Sequence, residues 1–382
     1  MTTTIHHILD ELRAQATSEA EKGSLFESLV AKYLRTDPQY ATLFTNVWRW
    51  MEWPGREGKA DTGIDLVAEE AGTGELVAIQ CKFYAETHHL QKVDIDSFFT
   101  ALGKKQFAAG MIVSTTDSWS NHAEDALADQ SKPVGRLRVQ DLDLSPVDWS
   151  DFSLGNIEYM PLLPGKQVRP HQREAIDKVK LGFAGHDRGK LIMACGTGKT
   201  FTSLRLVEEQ IPDGGTVLFL VPSISLLSQT LREWSAEATK PLRYFAVCSD
   251  RSVGKGSEDM RIHDLAIPAT TDAASLVAEL ERGRVPGVTT VVLSTYQSID
   301  VISRAQKLGA GAFDMVICDE AHRTTGVTLA GEDDSAFVKV HDNTVINATK
   351  RLYMTATPRI YDDGSKSKAA DGSAVLASMD DE

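Results

Sequence analysis

Ile5, Ile8, Leu9 and Leu12 recur on one helical face, and Leu25, Phe26, Leu29, Val30 and Tyr33 predict a second helix over about residues 24–34. Asp37-Pro38 ends that helix, and Glu27 lies just off its apolar stripe. Residues 47–53 are aromatic-rich and close at Pro54-Gly55, a pattern that predicts packing in a core or sheet rather than stacking on bases. Residues 63–68 alternate as a strand, turn at Gly72-Thr73-Gly74, and return as a second strand over 76–84. From Arg169 onward, apolar strands alternate with helices, which predicts a parallel sheet with crossover helices. Its strands are expected over 190–194, 217–221, 244–248, 290–294, 315–318 and 352–355, with a helix over 271–283. Between the two patterns, 141–167 is rich in Pro, Asp, Ser and Gly. The expected division is a first domain over 1–147, a linker over 148–168, a second domain over 169–360 and a polar, poorly ordered tail over 361–382.

At 382 residues the chain is long enough for two or three domains with real cores. A net charge of −14 excludes a protein coated in basic surface, but a local basic groove would still serve phosphate contacts. Cys81, Cys195, Cys248 and Cys318 lie far apart, so they suggest neither a zinc site nor a disulfide framework. No signal peptide and no apolar run of membrane-spanning length is visible, so a cytoplasmic protein is expected.

Two constellations carry chemistry. In the first, Gln80 and Lys82 are two apart on a strand and share a face, and Asp65 on the partner strand can meet them. A carboxylate that holds Mg²⁺, beside a lysine that orients a water, suits metal-assisted phosphodiester cleavage. The plain alternative is a surface ion pair across two strands. In the second, the apolar run 191–193 leads into Ala194-Cys195-Gly196-Thr197-Gly198-Lys199-Thr200 and a helix, the context of a phosphate-binding loop. Its amides would cradle phosphates, Lys199 would reach the β- and γ-phosphates and Thr200 would ligate Mg²⁺. The strict loop pattern has Gly where this chain has Met193. Downstream, a buried strand ends in Asp319-Glu320-Ala321-His322. There Asp319 can hold Mg²⁺ on the nucleotide, and Glu320 can activate the attacking water.

These residues resemble two known families. Gly63-Ile64-Asp65-Leu66, Ile79-Gln80-Cys81-Lys82 and the run 110–116 resemble the Mrr-like branch of the PD-(D/E)XK nucleases. That resemblance implies a site of Glu27, Asp65, Gln80 and Lys82, with Gln80 standing where many members carry an acid. The second half resembles superfamily 2 helicases of the DEAH type. Gln172 matches the adenine-reading residue, while Gly196, Thr197, Gly198, Lys199, Thr200, Asp319 and His322 match the nucleotide site. Residues 221–223 and 294–298 resemble two DNA-backbone motifs, and Thr355-Ala356-Thr357 the motif that couples ATP state to DNA. The implied fold is α/β: a PD-(D/E)XK domain with a mixed sheet flanked by helices, then one RecA-like domain with a parallel sheet.

In this order the motifs look most like the N-terminal part of a type ISP restriction–modification enzyme. That resemblance implies ATP, Mg²⁺ and double-stranded DNA, with no membrane partner. It also implies a second motor lobe, a methyltransferase that would use S-adenosylmethionine, and a target-recognition part, each expected downstream or on a separate chain. With no second lobe to supply an arginine finger, weak ATP hydrolysis is expected of this chain alone. Two other readings remain open: a repair-type helicase–nuclease, and a non-catalytic fragment that binds DNA and ATP.

Overall fold

The computed structural model describes residues 4–58, 63–128, 130–249, 261–282, 286–323, 326–329, 338–357 and 374–377. They fall into two compact units: Met1–Gly165 together with Arg261–Pro268, and Lys166–Met260 together with Ala269–Glu382.

The first unit is built on a five-stranded mixed sheet of β1 (Phe44–Arg49), β2 (Leu66–Glu70), β3 (Leu76–Lys82), β4 (Phe107–Ser114) and β5 (Val134–Leu137), in that order. The first three strands are antiparallel neighbours, while β3–β4 and β4–β5 are parallel. Period-2 alternation gives the sheet two apolar faces. On one face Leu66, Ala68, Ile79 and Val113 pack under α1 (Ile5–Gln15), α2 (Glu19–Thr36) and α3 (Pro38–Leu43). On the other, Val67, Ala78 and Ile112 pack with α4 (Lys92–Leu102) and α5 (Asn121–Ala128). Trp50 and Trp53 are buried in this second core, so the aromatic run does pack rather than present itself for stacking.

The stretch read as a linker behaves differently. After α6 (Val139–Asp143), the side chains of Trp149, Phe152, Leu154 and Met160 are buried in the first unit's core, and Val147 bridges to Leu162. The turn residues shape this segment, but its apolar residues anchor it.

The second unit has a seven-stranded sheet in which every pairing is parallel. Its described elements are α7 (Pro170–Phe183), β6 (Arg188–Ile192), α8 (Lys199–Gln210), β7 (Thr216–Val221), α9 (Ile224–Glu237), β8 (Leu242–Val247), β9 (Ala269–Thr270), α10 (Ala273–Arg282), β10 (Thr289–Thr295), α11 (Ile299–Lys307), β11 (Phe313–Cys318), β12 (Gly326–Leu329), β13 (Ala348–Thr355) and β14 (Ala374–Ala377). The order across the sheet is β6-β13-β11-β7-β10-β8-β9. Strands covered on both faces read as continuous apolar runs, as in Val217–Val221, which is buried throughout. One face packs against α10 and α11 through Leu276, Ile299 and Ile302. On the other, Phe219 meets Trp234 of α9 edge-on, with centroids 5.2 Å apart.

Two expectations about this half change. Residues 261–268, inside the span assigned to the second domain, belong to the first unit, where Leu265 and Ile267 are buried. Within the expected tail, β14 pairs antiparallel with β12, and the rest of 361–382 lies outside the described residues.

Candidate active sites

In the first unit the site forms where the β2–β3 ladder runs out. Leu66 opposes Ile79, so Asp65 and Gln80 fall on the same face, and Lys82 follows two residues on. The Asp65 backbone is fixed on both sides: its N–H donates to the Ile79 carbonyl (2.9 Å), and its carbonyl accepts from Trp50 N–H (2.8 Å). Its carboxylate continues the ladder, since Oδ2 accepts from the Cys81 N–H at 2.6 Å.

Gln80 is 3% exposed. Its Nε2 donates to the Gly63 carbonyl at 3.1 Å, which leaves Oε1 enclosed with no donor. An orphaned buried oxygen beside a fixed carboxylate fits a hard cation, which prefers oxygen ligands. Among the described residues no three His, Cys, Asp or Glu side chains form a metal-sized cluster.

Glu27 comes from α2, whose hydrophobic face packs on the sheet. Its charge is felt at Cys81, which lies between Gln80 and Lys82 in the chain but on the face packed under α2. Burial pushes the Cys81 thiol well above its ordinary range, the Asp65 and Glu27 carboxylates push it further, and Lys82 opposes them. Glu27 Oε2 lies 3.6 Å from Arg49 Nη2, and that guanidinium also donates to Ser24 Oγ at 2.9 Å. Arg49 was missed in the sequence. Its only signal is a cation ending a strand among three tryptophans.

In the second unit the loop expected to bind phosphates joins β6 to α8. Gly196 and Gly198 have φ of +74° and +86°, where a side chain is strained. A Cβ on Gly198 would also stand 2.6 Å from Gln172 Nε2. Gln172 is buried in the first turn of α7; its Oε1 accepts from Arg169 N–H (2.9 Å) and its Nε2 donates to the Thr197 carbonyl (3.0 Å). Thr197 Oγ1 donates back to Ala194 (2.7 Å), and Lys199 Nζ donates to the Met193 carbonyl at 3.4 Å. The Trp234 indole donates to the carbonyl of Thr200 and anchors the start of α8. A cavity of about 620 Å³ lies between α7 and β6, lined in part by His171, Lys178, Leu191 and Thr197.

β11 delivers Asp319 to the carboxyl end of the sheet, where parallel sheets bind ligands. Asp319 is 7% exposed; its N–H donates to the Leu220 carbonyl (2.9 Å), and its carbonyl accepts from Tyr296 OH (2.8 Å). Burial pushes its carboxyl up to about 6; the Glu320 N–H opposes this, the Glu320 charge adds to it, and Lys199 opposes it. Glu320 adopts φ +48°, a left-handed conformation costing a non-glycine residue about 1–2 kcal/mol. His322 Nδ1 lies 3.3 Å from Glu320 Oε2 and 3.1 Å from Thr355 Oγ1, and so links the acid to the end of β13. The Thr355 carbonyl in turn accepts from Met193 N–H at 3.1 Å, at the entrance to the phosphate loop. The two segments expected to meet DNA also touch, with Gln297 Nε2 donating to the Pro222 carbonyl at 3.5 Å.

A family profile described as "Type III restriction enzyme, res subunit" matches residues 165–360, more than half of the chain. The chain belongs to this family. A second profile, described as "Restriction endonuclease", matches residues 35–158, which contain Asp65, Gln80 and Lys82 but begin after Glu27. The res-subunit half thus sits behind a restriction-nuclease domain, and the chain carries both a nuclease and a helicase/ATPase domain.

Among solved structures, the ATP-dependent Type ISP restriction-modification enzyme LlaBIII bound to DNA is similar over 98% of this chain, with 40% identity and a TM-score of 0.82; the match covers 24% of that enzyme. A probable helicase of African swine fever virus is 31% identical over 237 residues, 60% of this chain and 24% of its own length. The replication restart protein PriA of Haemophilus influenzae is 25% identical over 202 residues, 51% of this chain and 27% of its own length. The chain therefore spans about a quarter of the length of these relatives. Among the described residues no helix is long and apolar enough to cross a membrane.

Proposed function

We propose that this chain is the nuclease and first motor lobe of an ATP- and Mg²⁺-dependent restriction endonuclease that acts on double-stranded DNA in the cytoplasm. On this reading a second motor lobe, a methyltransferase and a target-recognition part complete it, downstream or on a separate chain. The observation that carries the reading is the enclosed, donor-less Oε1 of Gln80 beside the fixed Asp65 carboxylate and Lys82, in a chain that also holds a phosphate-binding loop.

Asp65 and Gln80 would hold the divalent metal of the nuclease, with Glu27 contributing from α2. A bound Mg²⁺ supplies charge to the scissile phosphate and lowers the pKa of a water. Lys82 would orient a water and meet the charge that develops on the phosphate. In the motor lobe, the 194–198 loop and Lys199 take the phosphates of ATP, and Gln172 reads the base from α7. Thr200 and Asp319 would hold the Mg²⁺ that ATP brings, and Glu320 would accept the proton of the attacking water. His322, between Glu320 and Thr355, passes the state of the nucleotide site to the end of β13.

The test is nicking of supercoiled plasmid in Mg²⁺, with and without ATP, by this chain and by Asp65→Ala. Nicking that is lost in the variant supports the proposal. Nicking that survives the substitution removes the site from consideration.

A further inference from the structure

Glu320 is one of two non-glycine residues with a positive φ among the described residues, and it is the one that stands at a proposed reaction centre. A left-handed backbone at a bulky side chain persists only where its surroundings over-determine it. What holds it here lies one residue earlier. β11 makes its last pairings at Cys318, with Leu220 on one side and Tyr353 on the other. Beyond them the Asp319 N–H still reaches the Leu220 carbonyl (2.9 Å), whereas the donor to the Asp319 carbonyl is a side chain, the Tyr296 hydroxyl at 2.8 Å. Tyr296 opens the 3₁₀ turn that follows β10, and its ring is fully buried in the core that also holds Cys318, Ala321 and Tyr353. The same hydroxyl is bonded to the Cys318 thiol.

The Asp319 carbonyl and the Glu320 N–H are the two ends of one trans peptide, so they point in opposite directions and turn together. With the carbonyl on Tyr296, the N–H falls on the other side, against the Asp319 carboxylate, and Glu320 takes its φ of +48°. Turned over, the peptide would lose both contacts and release Glu320 from the left-handed region. The Glu320 carboxylate would then no longer be held 3.3 Å from His322 Nδ1. Turning over relieves strain, but it leaves a buried carbonyl without its donor, and the two effects are of similar size. The hydroxyl therefore decides the balance.

We infer that Tyr296 is a positioning residue of the motor site: its buried hydroxyl pins the Asp319–Glu320 peptide in the strained orientation and so sets where the Glu320 carboxylate stands. The inference rests on the reading of Glu320 as the proton acceptor in ATP hydrolysis. Tyr296 itself touches neither nucleotide nor water in this role; it acts through the peptide it holds.

The experiment compares the whole parent chain with Tyr296→Phe, which keeps the ring and removes only the hydroxyl. Three quantities are measured: the φ of Glu320 in crystal structures, ATP affinity by calorimetry in Mg²⁺, and single-turnover ATP hydrolysis with protein in excess. In Tyr296→Phe, Glu320 is expected at negative φ, with hydrolysis at least ten-fold slower and ATP affinity within two-fold of the parent. A left-handed Glu320 in the variant overturns the inference, since the hydroxyl then pins nothing. A loss of affinity as large as the loss of hydrolysis also overturns it, and leaves Tyr296 a core side chain that supports the whole site. Glu320→Gln tests the underlying reading separately. Hydrolysis that ignores that substitution means that the reading of Glu320 has failed, wherever Tyr296→Phe leaves the peptide, and the inference falls with it.

Discussion

The side-chain amide of Gln80 donates to the Gly63 carbonyl at 3.1 Å, and this contact turns its own oxygen into a closed space that no donor enters. The contact fixes which end of the amide faces the site. A carboxylate there would bind a cation more tightly and, without one, would be a buried charge. Gln80→Glu should therefore raise Mn²⁺ affinity about ten-fold while lowering metal-free stability by about 2 kcal/mol or more. Calorimetry gives the first quantity and denaturant unfolding in EDTA the second. Equal affinity in parent and variant would place the metal elsewhere.

Asp65 has two tasks that substitution can separate. Its carboxylate accepts from Cys81 N–H, and it falls opposite Gln80 one step beyond the Leu66–Ile79 pair. Asn keeps an acceptor for the amide but loses the charge, whereas Ala loses both. Asp65→Asn should cut nicking by about a hundred-fold or more and unfold within about 1 kcal/mol of the parent. Asp65→Ala should lose the same activity and a further 1–2 kcal/mol or so, for the unpaired N–H. Comparing nicking rates with urea midpoints checks both.

Much of this was legible because the chemistry lies in contiguous motifs. The run 194–200, Asp319-Glu320 and the Gln80/Lys82 pair each state their role within a few residues, and their flanking apolar runs give the strands that deliver them. What escaped depends on pairings far apart in sequence. Arg49 acquires meaning only when α2 brings Ser24 and Glu27 against β1. Trp149 and Phe152 sit among Pro, Asp and Ser that signal turns, and local composition does not report that both rings are buried. Residues 261–268 join the first unit through partners more than a hundred positions away, such as Arg136.

Lys199 Nζ rests on the Met193 carbonyl at 3.4 Å, at the edge of hydrogen-bonding distance, so it can leave for a phosphate at little expense. Lys199→Ala should remove ATP binding, with affinity down by about a hundred-fold and stability unchanged within about 0.5 kcal/mol. Calorimetric titration with ATP and Mg²⁺ tests this; unchanged affinity would rule out the loop assignment.

Asp319 makes the motor site sensitive to pH. Burial raises its carboxyl from an ordinary 3.8 to about 6, so the native state favours the protonated form. Ionisation on going from about pH 4 to pH 6 then costs the nucleotide-free protein roughly 2–3 kcal/mol, a penalty fully present above pH 6 and absent below pH 4. Asp319→Asn should escape it, melting higher than the parent at pH 7 with the gap closing toward pH 4. If Asp319 holds Mg²⁺–ATP as proposed, it does so ionised, and parent affinity should fall as pH drops below about 6. A gap that stays constant between pH 4 and pH 7 would show that Asp319 titrates normally.

The last prediction concerns what the first unit needs in order to fold. Arg136 on β5 is nearly enclosed, with its guanidinium paired to Asp264 and Glu124, and Arg138 Nη1 stands 3.9 Å from Asp264. Asp264 is held in turn by Arg261 N–H at 3.0 Å. Removing one partner of a buried ion pair strands the other charge, which costs about 3–5 kcal/mol; Glu124 remains to Arg136, so the lower end applies to Asp264→Ala. Hydrogen exchange at the β5 amides should quicken accordingly in the variant. A chain cut after residue 165 should show the same loss, because it lacks 261–268 altogether, and a synthetic peptide of those residues should restore protection. Unaltered β5 exchange in Asp264→Ala would mean that the pairing contributes nothing net, and that the nuclease unit ends where its contiguous sequence does.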